Sequence, residues 1–195
     1  MFWWAKELLS SLRFIAISGD KSFFKSKRMY EVILPAIITC LIFFIYLKFP
    51  KVYSPDFLSK ISSYIFQFMV FVVPFHLAAL GAFATFDRPG LDETLQGTNA
   101  QVKYWSNKDN GYFYQTLTLR QYTSLLFGYL CTIGVIYIVL YIISSNIDFR
   151  YIFGSKYNFA YDSAIFLVLI FISHYALLSI YAITFLFDKI NRIGS

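Results

Sequence analysis

Four separate stretches of this chain, each about twenty residues or longer, are almost free of charge. They are 29–49, with the core VILPAIITCLIFFIYL, then 61–86, 122–143 and 164–187. A helix needs ~20 mostly apolar residues to cross ~30 Å of hydrocarbon. The chain is 58% hydrophobic and 14% charged, with a mean hydropathy of +0.58. A soluble domain averages ~45–50% apolar and ~25% charged. The chain is therefore expected to be an all-α polytopic membrane protein with four spans. The same figures exclude a disordered chain. Two cysteines, Cys40 and Cys131, each inside an apolar run, exclude a disulfide-stapled secreted domain. The first run is closed by Lys48, Phe49, Pro50 and Lys51 with no small-residue cleavage pattern, so it is expected to be retained. The second run, ~39 Å at 1.5 Å per residue, is expected to tilt or to run into the following loop.

Orientation follows from the basic residues. One side of the four-span model collects 12 Lys and Arg and the other 5. The positive-inside rule places the richer side, with both termini and the loop 87–121, in the cytoplasm. Two regions follow: a cytoplasmic segment 1–28, and a four-helix transmembrane domain 29–195 carrying that loop.

The N-terminal segment is amphipathic. Trp4, Ala5, Leu8, Leu9, Leu12, Ile15 and Ala16 recur on one helical face, and Lys6, Glu7, Ser10 and Arg13 fall on the other. With Phe2 and Trp3 it reads as a helix lying in the headgroup plane and ending near Gly19-Asp20. Lys21, Lys25, Lys27 and Arg28 then supply positive charge beside span one, suited to anionic lipid.

In the loop, Asp87-Arg88-Pro89-Gly90 is a turn signal, and residues 91–96 read as a short acidic helix. Asn110-Gly111, between Val102–Trp105 and Tyr112–Tyr114, suits a hairpin turn. Thr116–Leu119 is equally able to begin span three. Four acids balance four bases in this loop, which argues against direct nucleic-acid binding.

The chain has no GxxxxGK[ST], GxSxG, HExxH or CxxC. Two histidines and two scattered cysteines make no metal site, so no metal, cofactor or catalytic residue is expected. His76 and His174 fall near mid-bilayer. Such residues usually face protein or a wet cavity. The expectation is a neutral histidine bonded to a Ser, Thr or Tyr of a neighbouring helix; a His76–His174 gate is the sharper alternative. In span two, Ser63, Gln67, Pro74, Gly81 and Thr85 share one face with Ala78 and Ala82 close by. This small, polar stripe reads as a helix-packing or oligomer surface, and the alternative is a pore lining. With His76 facing nearly the other way, span two is expected to be the central helix of the assembly, and Pro74 to kink it.

Four spans, cytoplasmic termini, a basic amphipathic start and a modest loop around Asp87-Arg-Pro-Gly-Leu-Asp-Glu93 resemble the membrane subunit of the Kiwa bacterial anti-phage defence system. The resemblance is one of size and layout over the whole chain. It implies a non-enzymatic sensor and scaffold of the bacterial inner membrane, a homotetramer, and a separate cytoplasmic DNA-binding effector as partner. By elimination the docking surface is the loop, with Asp92 and Glu93 steering and Tyr104, Trp105 and Tyr112, beside Tyr114, as aromatic anchors. The alternative is that these aromatics rest in the headgroups. The competing function is an oligomeric pore-forming effector that depolarises the membrane.

Overall fold

A computed structural model describes residues 4, 9–18, 27–54, 56–85, 90–95, 100–106 and 110–192, the side chains of 106 and 189–192 excepted. About four-fifths of them are helical, and four helices are long and apolar enough to cross a membrane. Span one is Met29–Lys48, span two Phe57–Thr85 and span three Leu119–Ser144; span four lies within Phe149–Asp188, most of it in the helix Tyr157–Arg192. At 1.5 Å per residue the last helix measures ~54 Å, so its ends project beyond the hydrocarbon.

Spans two, three and four begin earlier than their apolar runs, and at span three polar residues make the start. Thr118 accepts a bond from the Gln121 N–H, and the Gln121 side chain accepts from the Thr118 N–H, a complete capping box at the head of span three. Thr116–Leu119 is thus divided: Thr116 ends a strand and Leu119 opens the span. Span two runs unbroken through Pro74.

Span two packs along span three and span one along span four. Span four also touches spans two and three, so within the chain it is the helix that meets all three others, while span two meets spans three and four. Span two buries one line of residues, Ile65, Met69, Val73 and His76, at helical spacing. The stripe expected to be a packing surface lies off that line. Gln67, Pro74, Ala78, Gly81 and Thr85 are exposed, Ser63 and Ala82 half-buried, and nothing lies within 4 Å of where a Gly81 Cβ would sit. The close helix approach within the chain is at Gly134 of span three instead. A Cβ there would lie 2.4 Å from Val73 Cγ2 and 3.2 Å from the Tyr175 hydroxyl.

At one end of the bundle Tyr30, Tyr122 and Tyr181 form a hydroxyl chain, 3.4 and 3.0 Å apart. It sets the starts of spans one and three and the end of span four at a common level. At the other end Tyr46 donates to Asp162 (3.0 Å) and the Leu58 N–H to the Tyr161 hydroxyl (3.2 Å).

The N-terminal element differs from a helix resting flat on the membrane. Ser10–Ala16 is a short 3-10 helix packed along span three. Phe14 is fully buried between Tyr122 and Tyr129, at centroid distances of 5.9 and 5.4 Å. The Ser11 and Thr132 hydroxyls pair at 2.7 Å. Thr132 is ten residues past Tyr122, ~15 Å along the helix axis, so the segment dips beside the span. Of the expected apolar face, Leu9, Ile15 and Ala16 stay open outward, while Leu12 packs against the core. Periodicity located that face; it carried no information on Phe14 and Ile17, the two residues of the segment that are buried. Residues 5–8 and Lys21–Lys25 of the expected helix and basic segment, and Asp87–Pro89 of the expected turn, lie outside the described residues.

Candidate functional site

The loop folds as a hairpin that projects from the start of span three. Strand β1, Gln101–Ser106, pairs antiparallel with β2, Gly111–Thr116, in the register Lys103 with Tyr114, Tyr104 with Phe113 and Trp105 with Tyr112. Asn110 takes a left-handed conformation (φ 46°) just before β2, which Asn tolerates better than most residues. The connection is therefore four residues long, 107–110, rather than a two-residue Asn-Gly turn.

Alternation splits the aromatic anchors between the two faces. One face carries Trp105, Tyr112, Tyr114 and Lys103; Trp105 meets Tyr112 edge-on at 4.8 Å, and the Lys103 ammonium lies 4.2 Å from the Tyr112 ring centroid. The other face carries Tyr104 and Phe113, centroids 6.2 Å apart. All five rings are exposed, Trp105 at 48%. Tyr104 thus does not join Trp105 and Tyr112 in one patch, and Phe113, absent from the expected set, accompanies it on the other face. Strict period-two counting from the turn would have found both.

The segment before the hairpin is not the short helix expected over 91–96. Leu91 and Leu95 are buried, and the backbone between them is bonded to span three. The Glu93 carbonyl accepts from Leu119 N–H (3.1 Å) and the Leu91 carbonyl from Arg120 N–H (2.8 Å). These are donors that a helix start leaves without intrahelical partners, so capping span three outcompetes a local helix. Asp92 is not a free steering charge. Arg120 donates to both its carboxylate oxygens, at 2.8 and 3.1 Å, and also to the Phe83 carbonyl at 2.9 Å, clasping the loop to the end of span two. The Arg120 bond holds the Asp92 carboxyl below the usual carboxylate range, so the clasp is intact at neutral pH and is lost only as pH falls through that lowered value. The Glu93 side chain is exposed.

A second cluster lies inside the bundle, at the end where the hairpin emerges. Lys27 and Glu31 form an ion pair at 2.9 Å with both side chains only 8% exposed. The Lys27 ammonium also donates to the Phe14 carbonyl and lies 3.6 Å from that ring's centroid. Burial pulls the Lys27 ammonium below the usual lysine range while Glu31 pushes it back up. Glu31 sits in a π-helical turn, Met29–Ile33, that leads into span one. Pro35 has no N–H to offer the carbonyl four residues back, which is that of Glu31. His174 Nδ1 donates to that oxygen at 2.6 Å, and His174 Nε2 accepts from the Tyr129 hydroxyl at 2.9 Å. One neutral tautomer satisfies both bonds.

The two histidines do not share a partner. His76 Nδ1 is paired with the Tyr175 hydroxyl at 3.1 Å, and its Nε2 is buried without one. Because His174 and Tyr175 are adjacent in span four, their side chains diverge by ~100°. Each histidine is bonded to a tyrosine of a neighbouring helix. Sequence reasoning missed the Lys27–Glu31 pair; the Lys-x-x-x-Glu spacing across a span boundary was its one available signal.

Among the described residues no group of three or more His, Cys, Asp or Glu is placed to hold a metal ion, and Cys40 and Cys131 are free thiols. No protein-family model, no curated protein and no solved structure matches this chain.

Proposed function

We propose that this protein is a non-catalytic sensor and scaffold of the bacterial inner membrane, oligomeric, whose hairpin docks a cytoplasmic protein partner. The anti-phage role, the DNA-binding effector as that partner and the homotetramer come from the layout shared with the Kiwa membrane subunit. The observation that carries the docking reading is the hairpin itself. Two six-residue strands present five exposed aromatic side chains on two faces, and a lone two-stranded hairpin is marginal in water unless something covers it. Rigid Trp and Tyr side chains are the residue types that dominate binding energy at interfaces.

Trp105→Ala should weaken recovery of the partner in a mild-detergent pull-down about thirtyfold, the effect of losing ~2 kcal/mol at a buried anchor, while membrane-fraction yield is unchanged. Glu93→Ala, at an exposed charge, should mainly alter the salt dependence. If Trp105→Ala instead lowers membrane yield and leaves recovery per molecule intact, the hairpin is a headgroup anchor and the docking reading fails.

The cytoplasmic placement of the hairpin follows from the 12-to-5 asymmetry of basic residues. Reporter fusions after Tyr53 and after Tyr157 should read as extracytoplasmic; a cytoplasmic readout at either site inverts the model.

A pore-forming effector is the second reading, and one observation favours it. Gln67, ten residues into span two and so ~15 Å along it, turns its amide away from the chain's own bundle, where lipid would leave it unsatisfied. Potassium efflux from liposomes carrying the purified protein would favour this reading over the scaffold.

A further inference from the structure

We propose that residues 10–18 form a strap that ties the position of the hairpin to the packing of the bundle. The proposal rests on the hairpin being the docking element, and it concerns how that element is held. The strap has three attachments. At its end, Ser18 forms a single antiparallel bridge with the base of β1: Ser18 N–H donates to the Gln101 carbonyl at 2.9 Å, and Gln101 N–H donates to the Ser18 carbonyl at 3.0 Å. In its middle, Phe14 is wedged between Tyr122 and Tyr129, with its carbonyl held by Lys27. At its start, Ser11 pairs with Thr132 and lies over Gly128, where an added Cβ would sit 3.6 Å from the Ser11 Cβ.

These attachments make one continuous path. Tyr129 touches both His174 of span four and Phe14 of the strap, and His174 bonds the Glu31 backbone, whose carboxylate holds Lys27. A displacement of span four against span one therefore reaches Phe14 by two routes, the Tyr129 ring and the Lys27 ammonium. From Phe14 it passes through Ile17 to the Ser18–Gln101 pair. The hairpin is also joined to span three, by β2 and by the Leu117 N–H to Ala100 carbonyl bond; the strap is the added route, and it reaches the hairpin on the β1 side, at Gln101. The strap is also suited to come away. It is a seven-residue 3-10 helix with poorer hydrogen-bond geometry than an α-helix, and Leu9, Arg13, Ile15 and Ala16 contribute no buried face. Docked and lifted forms are the two states that a coupling element requires.

Hydrogen–deuterium exchange on the full chain in nanodiscs tests this without any partner. In a Cys40→Ala/Cys131→Ala background, Ser11→Cys with Gly128→Cys places two Cβ atoms at a separation disulfides accept, ~3.5–4.5 Å. Lys27→Met in that protein, reduced, should raise exchange about tenfold or more over both 10–18 and 101–106. Oxidation should return both to the level of the Lys27 protein. Exchange that rises over 10–18 but not over 101–106, or does not rise at all, overturns the strap. So does failure of the cysteine pair to oxidise. Should Lys27→Met not fold, Phe14→Leu, which removes the ring contacts and keeps an apolar side chain, takes its place with the same expected pattern. Because the readout needs no bound protein, a hairpin that docks nothing would appear only in the Trp105→Ala pull-down and leave this result standing.

Discussion

Glu31→Gln should destabilise the detergent-solubilised protein by about 3–5 kcal/mol, since removing one partner of a buried pair leaves an uncompensated charge. The charge left behind is the Lys27 ammonium, 8% exposed and enclosed by Phe14 and span one. Replacing both partners with apolar residues, Lys27→Met/Glu31→Leu, should cost far less, because no charge then remains to desolvate. The pH dependence has a definite sign. Burial already holds the folded-state Lys27 below its unfolded value, and without Glu31 the opposing effect is gone. Between the lowered folded value and the unfolded one, the unfolded chain binds more protons, so stability rises with pH. The deficit of Glu31→Gln relative to wild type should therefore shrink as the pH is raised from neutral toward 9. Thermal unfolding of the three proteins, wild type and the two variants, at two pH values measures this. Equal losses for Glu31→Gln and the double variant would mean that the pair is solvated and not a buried charge.

Gly134→Val should cost about 1–3 kcal/mol or more, the range for overpacking a filled core. Even its Cβ would come within 2.4 Å of Val73 Cγ2, and Val73 is a β-branched residue with little rotamer freedom in a helix. The Tyr175 hydroxyl, which pairs with His76, is the next atom met. Val73→Ala should restore part of the loss, because it removes the methyl that the new Cβ strikes. Gly81→Leu, by contrast, should leave the unfolding midpoint of the monomer unchanged, since nothing lies within 4 Å of that position. Its effect, if self-assembly uses the outward stripe of span two, should appear on native gels as loss of oligomer. Comparing midpoint and oligomeric state for the two glycine variants separates packing within a chain from packing between chains.

The outward stripe shows how far periodicity reaches. Ser63, Gln67, Pro74, Gly81 and Thr85 share a face in the structure as their spacing requires. Spacing says that side chains lie together on a helix; it does not say which neighbour that face meets. Small residues permit close approach equally to another span of the same chain or to a second copy. Burial by the chain itself went to Ile65, Met69, Val73 and His76, and the close approach went to Gly134, a glycine with no small-residue stripe around it to mark it in the sequence.

What the sequence determined by itself was the number of spans and their approximate limits. Lipid has no hydrogen bonds to offer, so each crossing must be one long apolar helix, and length and hydropathy are properties of a local stretch. The bonding of both histidines to a hydroxyl of a neighbouring helix was legible for a similar reason: a polar group at that depth has few ways to be satisfied. The hairpin was half legible. Its turn residues are local and alternation alone puts Tyr104 and Trp105 on opposite faces, but which β2 residues join each of them depends on the four-residue connection that fixed the register. Everything that required knowing which helices meet was decided by the tertiary structure. That includes span four meeting all three other spans, the capping of span three by residues 91–93, Phe14 inside the bundle, and Lys27 and Glu31 paired in the interior. The reason is physical: a lysine or glutamate near a span boundary is equally able to reach water or to turn inward. Only the packed bundle, with a histidine on the Glu31 carbonyl and a phenylalanine under the Lys27 ammonium, makes the inward arrangement the lower in free energy.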